Sequence, residues 1–305
     1  MDMKLIIKRL AFAKYLIERG NQESVNSEPL SFIALLHYHD ALELSFDLVL
    51  EDKGINTKDL GFMQYFERVN GWLRNNGKNE ISLKPSLVRL KNRRVNLKHG
   101  GLFPSKMDIE ESKFTANNTF EEICKNVYGL NAQKISLVEL IENQRVNAFI
   151  KEAINSYDSD QRKSIEKISF SFEFLLRDYE QSKSDLFLKS PFYFGRNMTF
   201  LNSFHMGLNH RDKLSEFVDS VKESIEAMQK AVKILAFGLD YKKYIKFRLL
   251  IPEPIWCIGN DMPKVSLGQN TKISKEDFNF CINYLVECSL KLQEFDFEIS
   301  KKENV

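Results

Sequence analysis

Residues 214–239 read LSEFVDSVKESIEAMQKAVKILAFGL, and the apolar positions in this stretch are regularly spaced. Leu214, Val218, Val221, Ile225, Met228, Val232, Leu235 and Leu239 follow one another in steps of 4, 3, 4, 3, 4, 3 and 4. Such steps keep side chains on one face of a helix, whereas a strand repeats every two residues. The pattern predicts a helix of about 29 residues, roughly 43 Å long at 1.5 Å per residue. Its apolar seam calls for a partner helix, from this chain or from a second copy.

Helical spacing recurs upstream. Helices are expected over about Lys4–Arg19, ending at Gly20; along Phe32, Leu35, His39, Leu42, Phe46 and Val49, stopped by Gly54; and over about Leu60–Arg74. Ser27 is the expected N-cap of the second, with Pro29 in its first turn. A fourth begins near Pro85 and ends at Gly100-Gly101, and a fifth covers about Asp108–Tyr128. Ser136-x-x-Glu139 reads as a capping box opening a helix to about Asn155. Ile165, Ile168, Phe172, Leu175 and Tyr179 restart the pattern, and Ser190–Arg196 reads as loop.

The last sixty residues change character. Ile245, Phe247, Leu249 and Ile251 alternate like a strand, with Ile255–Ile258 as a possible return strand beyond Pro252 and Pro254. Ser274-x-x-Asp277 caps a last helix, and Phe295, Phe297 and Ile299 alternate again. The expected fold is mainly α. A helical domain covers 1–130, a second helical section with the long seam helix covers 131–243, and a small α+β element covers 244–305.

Composition agrees with that class. The 305 residues include only 13 Gly and 7 Pro, too few for a collagenous or loop-dominated chain. Twenty-four phenylalanines point to an aromatic core. With 44 basic and 42 acidic residues the net charge is +2, so a polyanionic partner must be met by a local patch. Cysteines 124, 257, 281 and 288 form no CxxC pair, which suggests reduced, buried thiols and a cytoplasmic protein. No apolar run approaches a membrane span, so no membrane partner is expected. Glycine motifs of P-loop, dinucleotide-binding and serine-hydrolase type are absent from the sequence.

The local patch lies between Ile81 and Met107. These 27 residues carry Lys84, Arg89, Lys91, Arg93, Arg94, Lys98 and Lys106, and no acid. The buried stripe of the fourth helix should run Leu83, Leu87, Leu90, 94, Leu97, and position 94 is an arginine. A guanidinium on an apolar seam needs a carboxylate or a cleft. Glu43, in the acidic edge Asp40–Glu43–Asp47 of the second helix, is the expected partner of Arg94. His99 lies five residues on, about 140° around a continuing helix, so it converges with Arg94 only if the helix ends there. His37 and His39 lie about 200° apart and cannot share an ion. His39 falls on the apolar stripe, either as a satisfied core histidine or as a polar partner for the Arg94 site. His205 and His210 read as structural.

Arg94-Val95-Asn96-Leu97-Lys98-His99 is an Arg-x4-His element followed by Gly100-Gly101. It resembles the signature of the HEPN superfamily of helical nucleases. The upstream run His39-Asp40-Ala41-Leu42-Glu43-Leu44 is similar to a helix that often accompanies it, and the likeness covers about residues 1–130. One position departs: Val95 stands where the family often has a polar residue, and Asn96 or Arg93 is left to fill its role. The resemblance implies a metal-independent endoribonuclease, a toxin or defence effector, with the arginines and histidines of two copies facing each other.

On that likeness Arg94 binds phosphate, His99 exchanges protons, and Asn96 orients. Glu43, His39 and Asp40 support them, and Lys91, Arg93 and Lys98 contact RNA. The residue types suit the chemistry. RNA carries its own 2′-OH nucleophile, a histidine can move that proton near neutral pH, and a guanidinium can hold the developing charge. No metal or other cofactor is expected. The partners implied are RNA, a second copy and a regulatory protein or antitoxin. The alternative is a non-catalytic scaffold of the same type that binds a protein or nucleotide.

Overall fold

Small or apolar residues occupy nearly every side of the stretch from Ile33 to Asp52, and a helix of that kind must be surrounded. The computed structural model, which describes residues 1–184, 190–195, 198, 213–256, 262–268 and 271–294, shows this arrangement. The described residues are mainly α-helical, and the chain divides into two compact units, Met1–Leu140 and Ile141–Val305.

In the first unit, α1 (Met3–Glu23), α3 (Phe62–Asn75), α4 (Lys84–Val95) and α5 (Lys106–Glu122) pack around α2 (Ile33–Asp52). The expected stripe Phe32, Leu35, His39, Leu42, Phe46 and Val49 is buried throughout, and Tyr38, Ala41, Ser45 and Leu48 are buried on the other sides. Gly20 does not end α1. It lies inside the helix, where a Cβ would stand 2.7 Å from Cε1 of Tyr38, so the glycine admits the tyrosine ring. Ser27 caps nothing, because a 3₁₀ turn at Leu30–Phe32 leads into α2.

Helix α4 begins after Leu83, whose φ of +62° is unusual for a branched side chain. The preceding residue is anchored: Ser82 donates from its N–H and Oγ to the Glu122 carboxylate at 2.7 and 2.6 Å. At the other end the chain widens into one π-helical turn, Asn96–Gly100, closed by Gly101 at φ +62°. The N–H groups of Gly101 and Leu102 both donate to the Asn96 carbonyl, so the helix stops where the glycine pair suggests.

In the second unit, α6 (Gln144–Ser156) and α7 (Gln161–Ser182) form an antiparallel pair, and α10 (Lys275–Glu294) packs on α7. The long seam becomes α8 (Lys213–Ala236), 24 residues rather than about 29 within the described part, followed by Gly238 at φ +69°. Ser136 opens only a 3₁₀ turn, Leu137–Leu140. Helix α6 is capped instead by Asn143, whose Oδ1 accepts from the Val146 N–H at 3.1 Å. Ser274 and Asp277 cap α10 as expected.

The α+β element is not formed as expected. Residues 241–250 are helix α9 (Tyr241–Leu250), started by Asp240 accepting from the Lys243 N–H at 3.0 Å. The buried positions are Tyr244, Phe247 and Ile251, spaced three and four, while Ile245 and Leu249 face solvent at 43% and 82% exposure. Rings of Phe172, Tyr244, Phe247 and Tyr284 make the aromatic core of this unit, with centroids 4.9–6.1 Å apart. The hairpin reduces to one antiparallel bridge, Ile255 with Lys264. Residues 257–261 and the strand expected at Phe295–Ile299 lie outside the described residues, as do His205 and His210.

Candidate functional site

The acid-free run of α4 and its π turn acquires acids from other helices, and they sort its cations into two faces. Arg93 Nη2 meets Asp108 Oδ1 at 2.6 Å and Glu111 Oε2 at 2.5 Å, and Nη1 reaches Ser112 Oγ at 3.3 Å. Arg89 bonds the other oxygen of Glu111, and Lys84 pairs with Glu67. Positions 89 and 93 share the side turned to α5. Arg93, expected to contact RNA, is thus engaged by carboxylates of α5. Lys91, Arg94 and Lys98, at steps of three and four, share another side. Among the described residues none of the three has a carboxylate within 4.0 Å.

Asp108 does two jobs in the first set. It closes a capping box with Ser105, accepting from that residue's N–H and hydroxyl at 2.9 and 2.7 Å, and it receives Arg93. The Ser105 hydrogen bonds, and then the Arg93 charge, hold its carboxyl below the usual range.

Arg94 is the seam arginine, and its Nε is buried without a hydrogen-bond partner. Its expected partner, Glu43, turns to His39 instead, with Oε2 3.7 Å from Nδ1. The carboxylate that senses Arg94 is Asp40. The contact from His39 Nδ1, at 3.4 Å, holds the Asp40 carboxyl below its ordinary range, and the His39, Arg94 and His37 charges add to the effect. His39 is buried and stacked on Phe62 with ring centroids 4.4 Å apart. It is thus both a core residue and the link between two carboxylates. His37 turns away to Glu23 at 2.9 Å.

His39, Asp40 and Glu43 offer ligand atoms within 4.8 Å of one another.

The π turn bears directly on the Arg94–His99 relation. Its i→i+5 hydrogen bonding widens the turn, so residues five apart are separated by less than the 140° of an α-helix. His99, Lys98 and Asn96 are exposed at this end, and Arg94 and Lys91 are half-buried beside them.

A concavity of about 550 Å³ lies in the 141–305 unit, lined among others by Glu173, Arg177, Tyr193, Lys230 and Glu253. It includes the aromatic part of the Ser190–Asn197 stretch, whose Arg196 and Asn197 lie outside the described residues. Cys124, Cys281 and Cys288 are free and buried, with burial raising the Cys124 and Cys281 thiols to about 12, so they are inert near neutral pH. Among the described residues no helix is long and apolar enough to cross a membrane.

The chain matches no family model, no curated protein and no solved structure.

Proposed function

We propose that the chain is a metal-independent endoribonuclease of the HEPN type, acting as a toxin or defence effector, with Arg94 and His99 at its centre. One observation carries the reading. Lys91, Arg94 and Lys98 remain unneutralised on one side of α4 while acids consume Lys84, Arg89 and Arg93. A half-buried arginine with an unpartnered Nε, between a half-buried and an exposed lysine and before an exposed histidine, is suited to a phosphodiester.

In the proposed reaction RNA supplies the 2′-OH. His99 takes its proton or returns one to the departing 5′ oxygen, Arg94 holds the charge gathering on the phosphate, and Asn96 orients the group. Asp40, Glu43 and His39 position Arg94, with Asp40 in the part first expected of Glu43. The resemblance adds a second copy facing the first, 2′,3′-cyclic phosphate ends, and a regulatory protein or antitoxin as partner. The scaffold reading has one observation in its favour: among the described residues no hydrogen bond or ion pair orients the His99 ring.

The test is RNA cleavage in EDTA by the wild type, Arg94→Ala and Arg94→Lys. Loss of electrostatic stabilisation should cost on the order of 10²–10³ in rate for Arg94→Ala. Lysine should rescue poorly, because an ammonium lacks the planar fork. Cleavage that needs added metal contradicts the mechanism. RNA binding without any cleavage replaces it with the scaffold.

A further inference from the structure

The C-terminal half of helix α8 is placed inside out. An amphipathic helix on a globular unit normally buries its apolar stripe and exposes its charges. Here Lys230 and Lys233, both half-buried, face their own unit and line the 550 Å³ cavity, which the exposed Glu226 also lines. Lys233 bonds Glu180 at 2.8 Å, and Lys230 pairs with Glu253. Much of the apolar stripe is left in water. Leu214, Met228, Val232 and Leu235 are 58%, 59%, 43% and 59% exposed, and Val218, Val221 and Ile225 are only half-buried. Four large apolar side chains of one stripe left in water, Leu214 at the start of the helix and Met228, Val232 and Leu235 in its second half, mark an interaction surface.

The chemistry of the row selects its occupant. In heptad terms Val218, Ile225 and Val232 fall at a, and Leu214, Val221, Met228 and Leu235 at d. β-branched residues at a, with mainly unbranched or γ-branched ones at d, favour two parallel strands. The flanking positions settle like with like. Charges at e and g ordinarily choose an unlike partner, yet here they are Ser215, Gln229, Ala236, Phe217, Ser224 and Ala231, with Lys222 the one charged residue. Lys222 is partly neutralised within its own helix by Glu226, 3.9 Å away. Two copies of α8 therefore meet without a like-charge pair, and in a parallel pair the Lys222 stem falls beside Phe217 of the other copy. Each helix is already formed on its own unit, which lowers the entropy cost of pairing.

We infer that α8 forms a parallel two-stranded coiled coil with α8 of a second copy, over about 36 Å of helix. The pairing rests on residues of the 141–305 unit alone. It names the interface for the second copy that the ribonuclease reading calls for, but it stands or falls independently of RNA cleavage.

Light scattering on the full chain at tens of micromolar should give twice the 35.6 kDa chain mass. Met228→Glu combined with Leu235→Glu should return the mass to that of one chain. Its circular dichroism should stay unchanged, because both side chains are exposed in the single copy, and its melting temperature should no longer depend on protein concentration. Under mild oxidation Leu235→Cys alone should give a covalent dimer absent from the wild type. Parallel helices bring position 235 against itself, and antiparallel helices carry it to the far end. A wild type that stays at one chain mass overturns the pairing. So does a dimer that survives the double glutamate variant. A dimer in which Leu235→Cys does not cross-link overturns the parallel arrangement.

Discussion

Two neighbouring cations on one helix should respond oppositely to the same truncation. Arg93 is 16% exposed and makes charge-assisted bonds to Asp108 and Glu111, themselves about a third exposed. A fully exposed pair is worth roughly 0–1 kcal/mol, and a hydrogen bond to a charged group about 1.5–3 kcal/mol. Arg93→Ala should fall between, at about 1–2 kcal/mol, since Glu111 keeps Arg89 and Asp108 keeps Ser105. For a unit of this size that lowers the melting temperature by about 3–8 °C. Lys91→Ala removes no ion pair and should change stability by less than about 0.5 kcal/mol. RNA binding should show the reverse. Lys91→Ala should lower the slope of log K against log salt by about 0.7, the value for one phosphate contact on a single strand. Arg93→Ala, measured below its melting transition, should leave that slope unchanged. Calorimetry and a salt titration on a generic single-stranded RNA read both quantities. If Arg93→Ala melts like the wild type and loses salt dependence, while Lys91→Ala does neither, the division of α4 into a structural and a binding face is wrong.

Gly20→Val should destabilise the first unit by about 1–3 kcal/mol through the clash with Tyr38, and combining it with Tyr38→Leu should recover part of the loss in a denaturant melt. The depressed Asp40 carboxyl makes a signed prediction. Its stabilising contribution is complete above its ordinary value of 3.8 and disappears as pH falls through the lower folded value, so Asp40→Asn should be less stable than wild type at pH 7. The two curves should converge below pH 3.8, and a gap that widens towards acid contradicts the assignment. Leu249→Lys should leave thermal stability within about 0.5 kcal/mol, whereas Phe247→Ala should cost about 3–5 kcal/mol. Equal effects would refute the helical register of α9.

The helices that frame the candidate site were legible because their apolar residues lie on faces that become buried: the Phe32–Val49 stripe, Leu87 and Leu90, and the Ser274–Asp277 cap. The errors share a physical cause, namely that the deciding partner is distant in sequence. Gly20 looks like a stop until Tyr38 stands against it. Residues 245–251 alternate, but Tyr244, outside the alternation, pairs with Phe247 and Ile251 to make a helical face. The basic run carries no acid of its own, and Asp108 and Glu111 reach it only because α5 folds back on α4. Glu43 was the expected partner of Arg94, but both Glu43 and Asp40 turn to His39, and neither comes within 4.0 Å of the arginine. The outward direction of the α8 seam depends on Glu180 and Glu253, far from it in the chain.

In the proposed reaction one histidine, His99, cuts RNA without metal. The direct measurement is single-turnover cleavage of a labelled RNA by wild type and His99→Ala in excess EDTA, with a DNA of the same sequence alongside and folding checked by circular dichroism. On the proposed reaction the wild type should cut RNA and spare DNA, which lacks the 2′-OH. His99→Ala should fold normally and be slower by a factor of about 10²–10⁴. A folded His99→Ala protein that cuts at the wild-type rate would contradict that reaction.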